Sequence, residues 1–453
     1  MSNPPNIIYM HCDGAARFIG PYGFAVPTPN LSRFAEGGVL FRNAYSAAPT
    51  CSPSRAALLT GRAPHSNGMN GLQPHGHAFN DMDRALPRFL GRQGYTTVMD
   101  APCCFIQFNY DRNIMPDLPR SAGAHGSERA VADAACRYLS EPDGDAPFFL
   151  NIGFGSPKGR NNLDLPGEMV TTDPDHIRPP ARWPDTPGVR EDWARQVDAT
   201  RWVDARMGEV LDALEENGLA DNTLVICTPD HGPAGPGMKS CLTEDGTGVF
   251  LLMRGPGGFS GGRIVEGLVS QVDIFPTLCD LLGLDRPAWL EGKSMLPLVH
   301  DESGSIRDEV FSELTYHWTY EPMRCVRTER YRYVRRWYDR WDNDLANTMN
   351  CPAKRELADR GFYDGTPPRE ELYDLVIDPD ERNNLIDDPG LAGVAEDLSG
   401  RLAKWMRRTD DPLLDGAVPL PPGGETNLPG DCWREGPAFP LGAEEWNPRL
   451  PVT

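Results

Sequence analysis

Five short apolar runs of β character alternate with stretches of helical character, and that alternation limits the folds open to this chain more than any other feature. The runs are 6–10 (NIIYM), 95–99 (YTTVM), 147–153 (PFFLNIG), 223–228 (TLVICT) and 248–253 (GVFLLM); the helical stretches are 30–37, 54–60, 84–93, 128–140, 191–217 and 270–283. Apolar strands separated by helices predict an α/β layer architecture with a largely parallel central sheet flanked by helices. Such sheets collect ligands at the carboxyl ends of their strands. After about residue 300 the texture changes: RCVRTERYRYVRRW alternates like an antiparallel pair of strands, and 390–408 reads as an amphipathic helix. A chain of 453 residues exceeds what one core usually organises. We therefore expect a large domain over 1–300 and a smaller α+β domain over 301–453, with an antiparallel sheet and a terminal helix.

Two strand ends are rich in chemistry. Strand 6–10 runs into His11-Cys12-Asp13-Gly14, and strand 223–228 runs into Pro229-Asp230-His231-Gly232. Each supplies oxygen or nitrogen ligands just before a glycine, so two loops distant in sequence can meet at one metal ion. Taken alone, an Asp-Gly pair is also an ordinary turn.

Composition excludes several partners. Lys plus Arg total 44 against 65 Asp plus Glu, a formal charge of −21, with no basic block to follow a phosphate backbone, so nucleic acid is not expected. The N-terminal stretch has no basic segment followed by a long apolar one, and no run of about 18 apolar residues occurs. The expectation is a soluble, cytoplasmic protein without membrane contact. Eleven cysteines, an odd number without framework spacing, read as mostly reduced thiols. The 46 glycines and 44 prolines are spread through the chain and indicate long loops.

One cysteine stands apart. Cys51 opens CSPSRAALLTGR, with His65 the nearest histidine downstream and no second cysteine within CxxC reach, so neither an activated thiol nor a zinc thiolate is signalled. The stretch Cys51-Ser52-Pro53-Ser54-Arg55, followed by Leu59-Thr60-Gly61-Arg62, resembles the signature of the type I sulfatases of the alkaline phosphatase superfamily. NIIYMHCDG, the segment from TPNLSRF to NGMNGL, TLVICTPDHG and ELYDLVIDPDERNNL all occur in that family's order. The layout is most similar to the sulfamidases, which cleave the N–S bond of N-sulfoglucosamine.

The resemblance implies a sulfatase-type catalytic domain over 1–300, and a hydrolase of a sulfate ester or sulfamate. In the family the cysteine is oxidised to formylglycine, whose hydrate attacks sulfur with help from a divalent cation and then releases sulfate. Carried over, Cys51, Arg55 and Lys239 are the catalytic residues, and Asp13, Asp230, His231, Cys51 and Cys12 the metal ligands. Lys158 and His317 are candidates for substrate binding. Pro53 suits the first turn of a helix, which would place residue 51 at a helix N-terminus that favours an anion. The implied cofactors are formylglycine and one divalent ion, calcium by family, with zinc, manganese or magnesium open because of Cys12. The implied partners are a small anionic substrate and a formylglycine-generating enzyme.

The chain also departs from the family pattern. Cys12 stands where an acidic residue is usual; either it is a soft ligand, which suits zinc or iron better than calcium, or it is a buried neutral thiol and Asp13 alone serves. With Cys103 and Cys104 it would make a thiolate site the family lacks. Where the family carries Gly-Lys-x-His, this chain reads Met99-Asp100-Ala101-Pro102-Cys103-Cys104. Where a His-x-Pro-His element usually donates a proton, it reads Gly155-Ser156-Pro157-Lys158. Each lost cationic group is commonly worth ~2–4 kcal/mol of transition-state stabilisation. We therefore expect altered chemistry; the alternatives are a phosphonate or phosphate ester hydrolase, a sulfuryl or sulfamate transferase, or a non-catalytic binding protein of the same fold.

Overall fold

Side-chain parity along the central strands decides what faces what. In the strand Asn6–Cys12, Ile7 and Tyr9 enter one apolar cluster while Ile8, Met10 and Cys12 enter another, as the two-residue period of a strand requires. The strand Thr223–Pro229 does the same, with Leu224 and Ile226 on the first side and Val225 and Cys227 on the second. Helices Cys51–Thr60, Leu86–Arg92 and Ile274–Leu281 cover the first face. Helices Pro29–Gly37, Glu128–Ser140 and Pro187–Glu216 cover the second. Continuous apolar runs are what strands buried on both faces need.

These relationships come from a computed structural model that describes residues 4–100, 110–115, 128–157, 170–301, 303–338, 342–427 and 441–442. Among the described residues the main sheet has eight strands. Asn6–Cys12 lies between Phe148–Phe154 and Thr223–Pro229, parallel to both, and Thr96–Met99 extends the parallel set beyond Phe148–Phe154. The expected strand at 248–253 is divided. Gly248–Val249 joins a three-stranded side sheet, whereas Leu252–Arg254 enters the main sheet antiparallel to Thr223–Pro229. Between them Phe250 donates its N–H to Ala16 O (3.0 Å) and Leu251 donates to the Tyr22 hydroxyl (2.9 Å), which interrupts the ladder.

Toward the C-terminus, Glu309–Tyr316, Tyr320–Thr328, Tyr331–Arg336 and Glu370–Asp374 form an antiparallel sheet in that order. Helix Ala392–Arg408 packs on it through Leu398, Leu402, Trp405 and Met406 against Val326, Tyr333 and Leu372. The eight described cysteines are free thiols; Cys103, Cys104 and Cys432 lie outside the described residues. No helix among the described residues is long and apolar enough to cross a membrane.

Candidate active site

The site begins where two neighbouring strands stop. Cys12 pairs with Pro229 in parallel register, so the next residues, Asp13 and Asp230, leave the sheet side by side. Continuing the strand alternation by one step turns both aspartates to the face covered by helix Cys51–Thr60. Asp230 donates its N–H to Cys12 O and Asp13 donates to Ser156 O, both at 3.2 Å. Gly14 N–H donates to Asp230 Oδ1 at 3.0 Å from a left-handed backbone, φ +74°. At Gly232 a Cβ would lie 1.9 Å from Asp245 O, so only glycine lets the second loop approach that backbone.

Helix Cys51–Thr60 starts with Thr50 as an extended N-cap and is buried along its whole length. Its first turn presents Cys51, and Arg55 follows one turn later. Ser54 Oγ donates to Asp230 O at 2.7 Å. Gln271 Nε2 donates to Pro229 O at 2.7 Å, fixing the end of the strand against which the helix is set.

Around Cys51 Sγ stand His231 Nε2 at 3.2 Å, Lys239 Nζ at 3.2 Å and Asp13 Oδ2 at 3.5 Å. Arg55 Nη2 donates to Asp230 Oδ2 at 2.8 Å and to Asp13 Oδ2 at 3.4 Å. His231 Nδ1 lies 2.7 Å from Gly232 O. A carbonyl can only accept, so Nδ1 carries a proton, and Nε2 faces the two aspartates. Burial, and then the neighbouring Asp13, raise the Asp230 carboxyl to about 6. For His231 burial opposes protonation, but Asp230 outweighs it and the imidazole is raised.

Asp13, Cys51, Asp230 and His231 bring one potential ligand atom each to within 4.8 Å of one another, all buried. Two buried carboxylates with an imidazole nitrogen facing them fit a hard or borderline divalent cation.

Cys12 does not belong to this group. Strand parity carries its side chain to the opposite face, into the cluster with Ile8, Met10 and Phe154, and burial raises its thiol well above the ordinary value. It is a neutral core thiol, and the expectation that it ligates the metal is corrected. The period-two pattern of NIIYMHCD carried that information. Lys158 lies outside the described residues. His317 is 3 % exposed and follows the strand Glu309–Tyr316; its Nδ1 lies 2.9 Å from both Ser240 Oγ and Asn347 O.

On the wall where the resemblance would place cationic groups, Asp100 follows the strand Thr96–Met99 fully buried, its N–H donating to Asn151 O at 3.0 Å and its carboxylate oxygens without a hydrogen-bond partner among the described residues. Burial raises this carboxyl well above its ordinary value. Ser156 donates its N–H to Glu128 Oε1 at 2.8 Å while its carbonyl holds Asp13. The Gly155–Pro157 segment thus braces the first aspartate.

Motif reading missed His75, Ser240 and Asn347. His75 Nδ1 lies 3.0 Å from His317 O, and burial lowers its imidazole to about 4. Nothing in the spacing of these residues marks them; only their convergence does. A second buried group, His65, Glu313 and Asp411, also has ligand-like atoms close together. Arg324 fills the role of a cation there, donating to Asp411 at 2.5 and 2.9 Å, while His65 Nδ1 meets Glu313.

The family model described as Sulfatase matches residues 5–284. The chain belongs to the sulfatase family. A second model, described as N-sulphoglucosamine sulphohydrolase, C-terminal, matches residues 238–358 of this sulfatase-family chain. Human N-sulphoglucosamine sulphohydrolase is 30 % identical, over 91 % of this chain and 92 % of that protein. Delta 4,5-hexuronate-2-O-sulfatase of Bacteroides thetaiotaomicron is 27 % identical, over 96 % of this chain and 95 % of that one. The structure of a putative sulfatase from Bacteroides thetaiotaomicron VPI-5482 superposes with a TM-score of 0.70 at 25 % identity, covering 98 % of this chain and all of that one. The mostly parallel central sheet with a smaller antiparallel sheet is thus the sulfatase fold. The sulfatase family typically uses formylglycine with a divalent metal, and a buried Asp/Cys/His cluster is present among the described residues.

Proposed function

We propose that this sulfatase-family hydrolase cleaves a sulfate ester or sulfamate at a site centred on Cys51, matured to formylglycine, with one divalent cation held by Asp13, Asp230 and His231. The observation that carries the reading is the convergence of His231, Lys239 and Asp13 within 3.5 Å of Cys51 Sγ at the N-terminus of a buried helix. Formylglycine would supply the oxygen nucleophile and the cation would activate it and polarise the sulfuryl group.

The remaining work falls to the chain's own groups. Lys239 places an ammonium beside residue 51, where it attracts and orients the sulfuryl oxygens. The N-terminal amides of helix Cys51–Thr60 favour the same negative charge. Arg55 bridges the two aspartates and holds both carboxylates in place. Burial of the whole group strengthens each of these interactions.

The wall formed by Asp100 and the Ser156–Pro157 segment brings no cation and no histidine acid among the described residues. A leaving group that needs a proton departs slowly from such a site unless Lys158 or the substrate itself supplies it. The substrate this favours carries its own activated leaving group or compensating charge. The test is protein co-expressed with a formylglycine-generating enzyme, peptide masses across Cys51, and a panel of aryl sulfates, sulfamates and phosphonate esters. Formylglycine at residue 51, with turnover of a sulfate ester or sulfamate that carries its own activated leaving group or compensating charge above that of generic aryl sulfates, is expected. An unmodified thiol after co-expression, or a preference for phosphonates, overturns the reading.

A further inference from the structure

The histidine on the C-terminal wall is held in one protonation form by its neighbours. His317 Nδ1 lies 2.9 Å from the backbone carbonyl of Asn347 and 2.9 Å from Ser240 Oγ. The carbonyl can only accept, so Nδ1 carries the hydrogen. Ser240 Oγ is itself 3.3 Å from Asn347 O and donates to it, leaving a lone pair for the imidazole N–H.

Asn347 is not free to turn away. Its Oδ1 accepts from Trp318 N and Thr319 N, each at 2.9 Å, and its Nδ2 donates to Glu321 Oε2 at 2.6 Å. The ring is therefore fixed from one edge, and Nε2 is left as an unprotonated acceptor. Ser240 follows Lys239, so the same short segment sets the ring and places the ammonium 3.2 Å from Cys51 Sγ. Burial and the charge on Lys239 keep the imidazole neutral.

Resting on the sulfatase reading above, we infer that His317 is a specificity-determining acceptor: its Nε2 recognises a hydrogen-bond donor, N–H or O–H, on the group attached to the bound sulfuryl unit. It does not replace the missing proton donor, because its one hydrogen is committed to Asn347 and Ser240. A sulfamate nitrogen, or a hydroxyl next to a sulfate ester, supplies the donor that a simple aryl sulfate lacks.

The probes are sulfamate ion and methanesulfonate, monoanions of nearly equal shape that differ in carrying NH2 or CH3 on sulfur. Their affinities for the purified protein, measured by calorimetry, read the acceptor without any turnover. One net hydrogen bond predicts a preference for sulfamate of about five- to tenfold, falling to within about twofold in His317→Phe. Equal binding in the native protein, or a preference retained in His317→Phe, overturns the assignment of His317 alone. Binding of neither anion overturns the anion-site reading and this inference with it. Should the variant fail to fold, long-range 1H–15N spectra of histidine-labelled native protein decide. An Nδ1–H tautomer for His317 at neutral pH is expected, and an Nε2–H tautomer or an imidazolium overturns the inference.

Discussion

Asp13 and Asp230, 217 positions apart by their numbers, stand side by side because Cys12 and Pro229 are register partners in adjacent parallel strands. Arg55 then bridges them, at 3.4 and 2.8 Å. Two carboxylates in a site with no exposure to solvent repel one another, and a cation is what makes their joint burial favourable.

Asp230→Ala is expected to abolish stoichiometric binding of a divalent ion and to lower activity of the matured protein by more than ~100-fold, since the ion is worth several kcal/mol in the transition state. Metal analysis of the purified variant checks the first part. Full metal occupancy in it would remove Asp230 from the ligand set.

Cys12→Ala is expected to leave metal content unchanged and to cost about 1 kcal/mol of stability, the effect of removing one buried atom from a packed cluster. Urea unfolding alongside metal analysis separates the two. Loss of metal without loss of stability would return Cys12 to the site.

Arg324→Met should destabilise the fold by about 3–5 kcal/mol, because it removes the guanidinium that neutralises Asp411 and Glu313 deep in the protein. The clasp joins the turn Pro64–Asn67, just after the Cys51 helix, to the C-terminal sheet. Denaturant titration reads the loss directly.

The same clasp sets a pH dependence. Burial works against protonation of His65, but Glu313 outweighs it and raises the imidazole above its ordinary value. Its contribution to stability is then complete below the unfolded value of about 6.5 and is lost as pH rises through the folded one. For Asp411 burial is outweighed by Arg324, and the carboxyl is lowered. That contribution is present above about 3.9 and is lost as pH falls through the folded value. Unfolding free energies across this range should show His65→Gln lacking the decline above neutrality. An unchanged alkaline decline in that variant would place its origin elsewhere.

The strands, the helices and the two strand-end loops were legible because they are local: apolar runs, period-two alternation and Asp-Gly turns are written in neighbouring residues. The Cys51 signature was legible for the same reason, and the antiparallel pair now seen as Tyr320–Thr328 and Tyr331–Arg336 was announced by its alternation. The division of 248–253 between two sheets was not, because it depends on which backbone groups Ala16 and Tyr22 bring to Phe250 and Leu251.

By itself, the sequence determined that two apolar strands end in acidic loops and that Cys51 heads a helix. Only the tertiary structure decided which side chains meet. Sheet parity sent Cys12 into the core and Asp13 into the site, a choice fixed by which face the Cys51 helix covers. Asn347 and Ser240 set the proton on His317 across 30 and 77 residues of chain, and Arg324 closes on Asp411 across 87. Hydrogen bonds and buried charge pairs act over about 3 Å of space, and separation along the chain leaves no trace of them in local residue patterns.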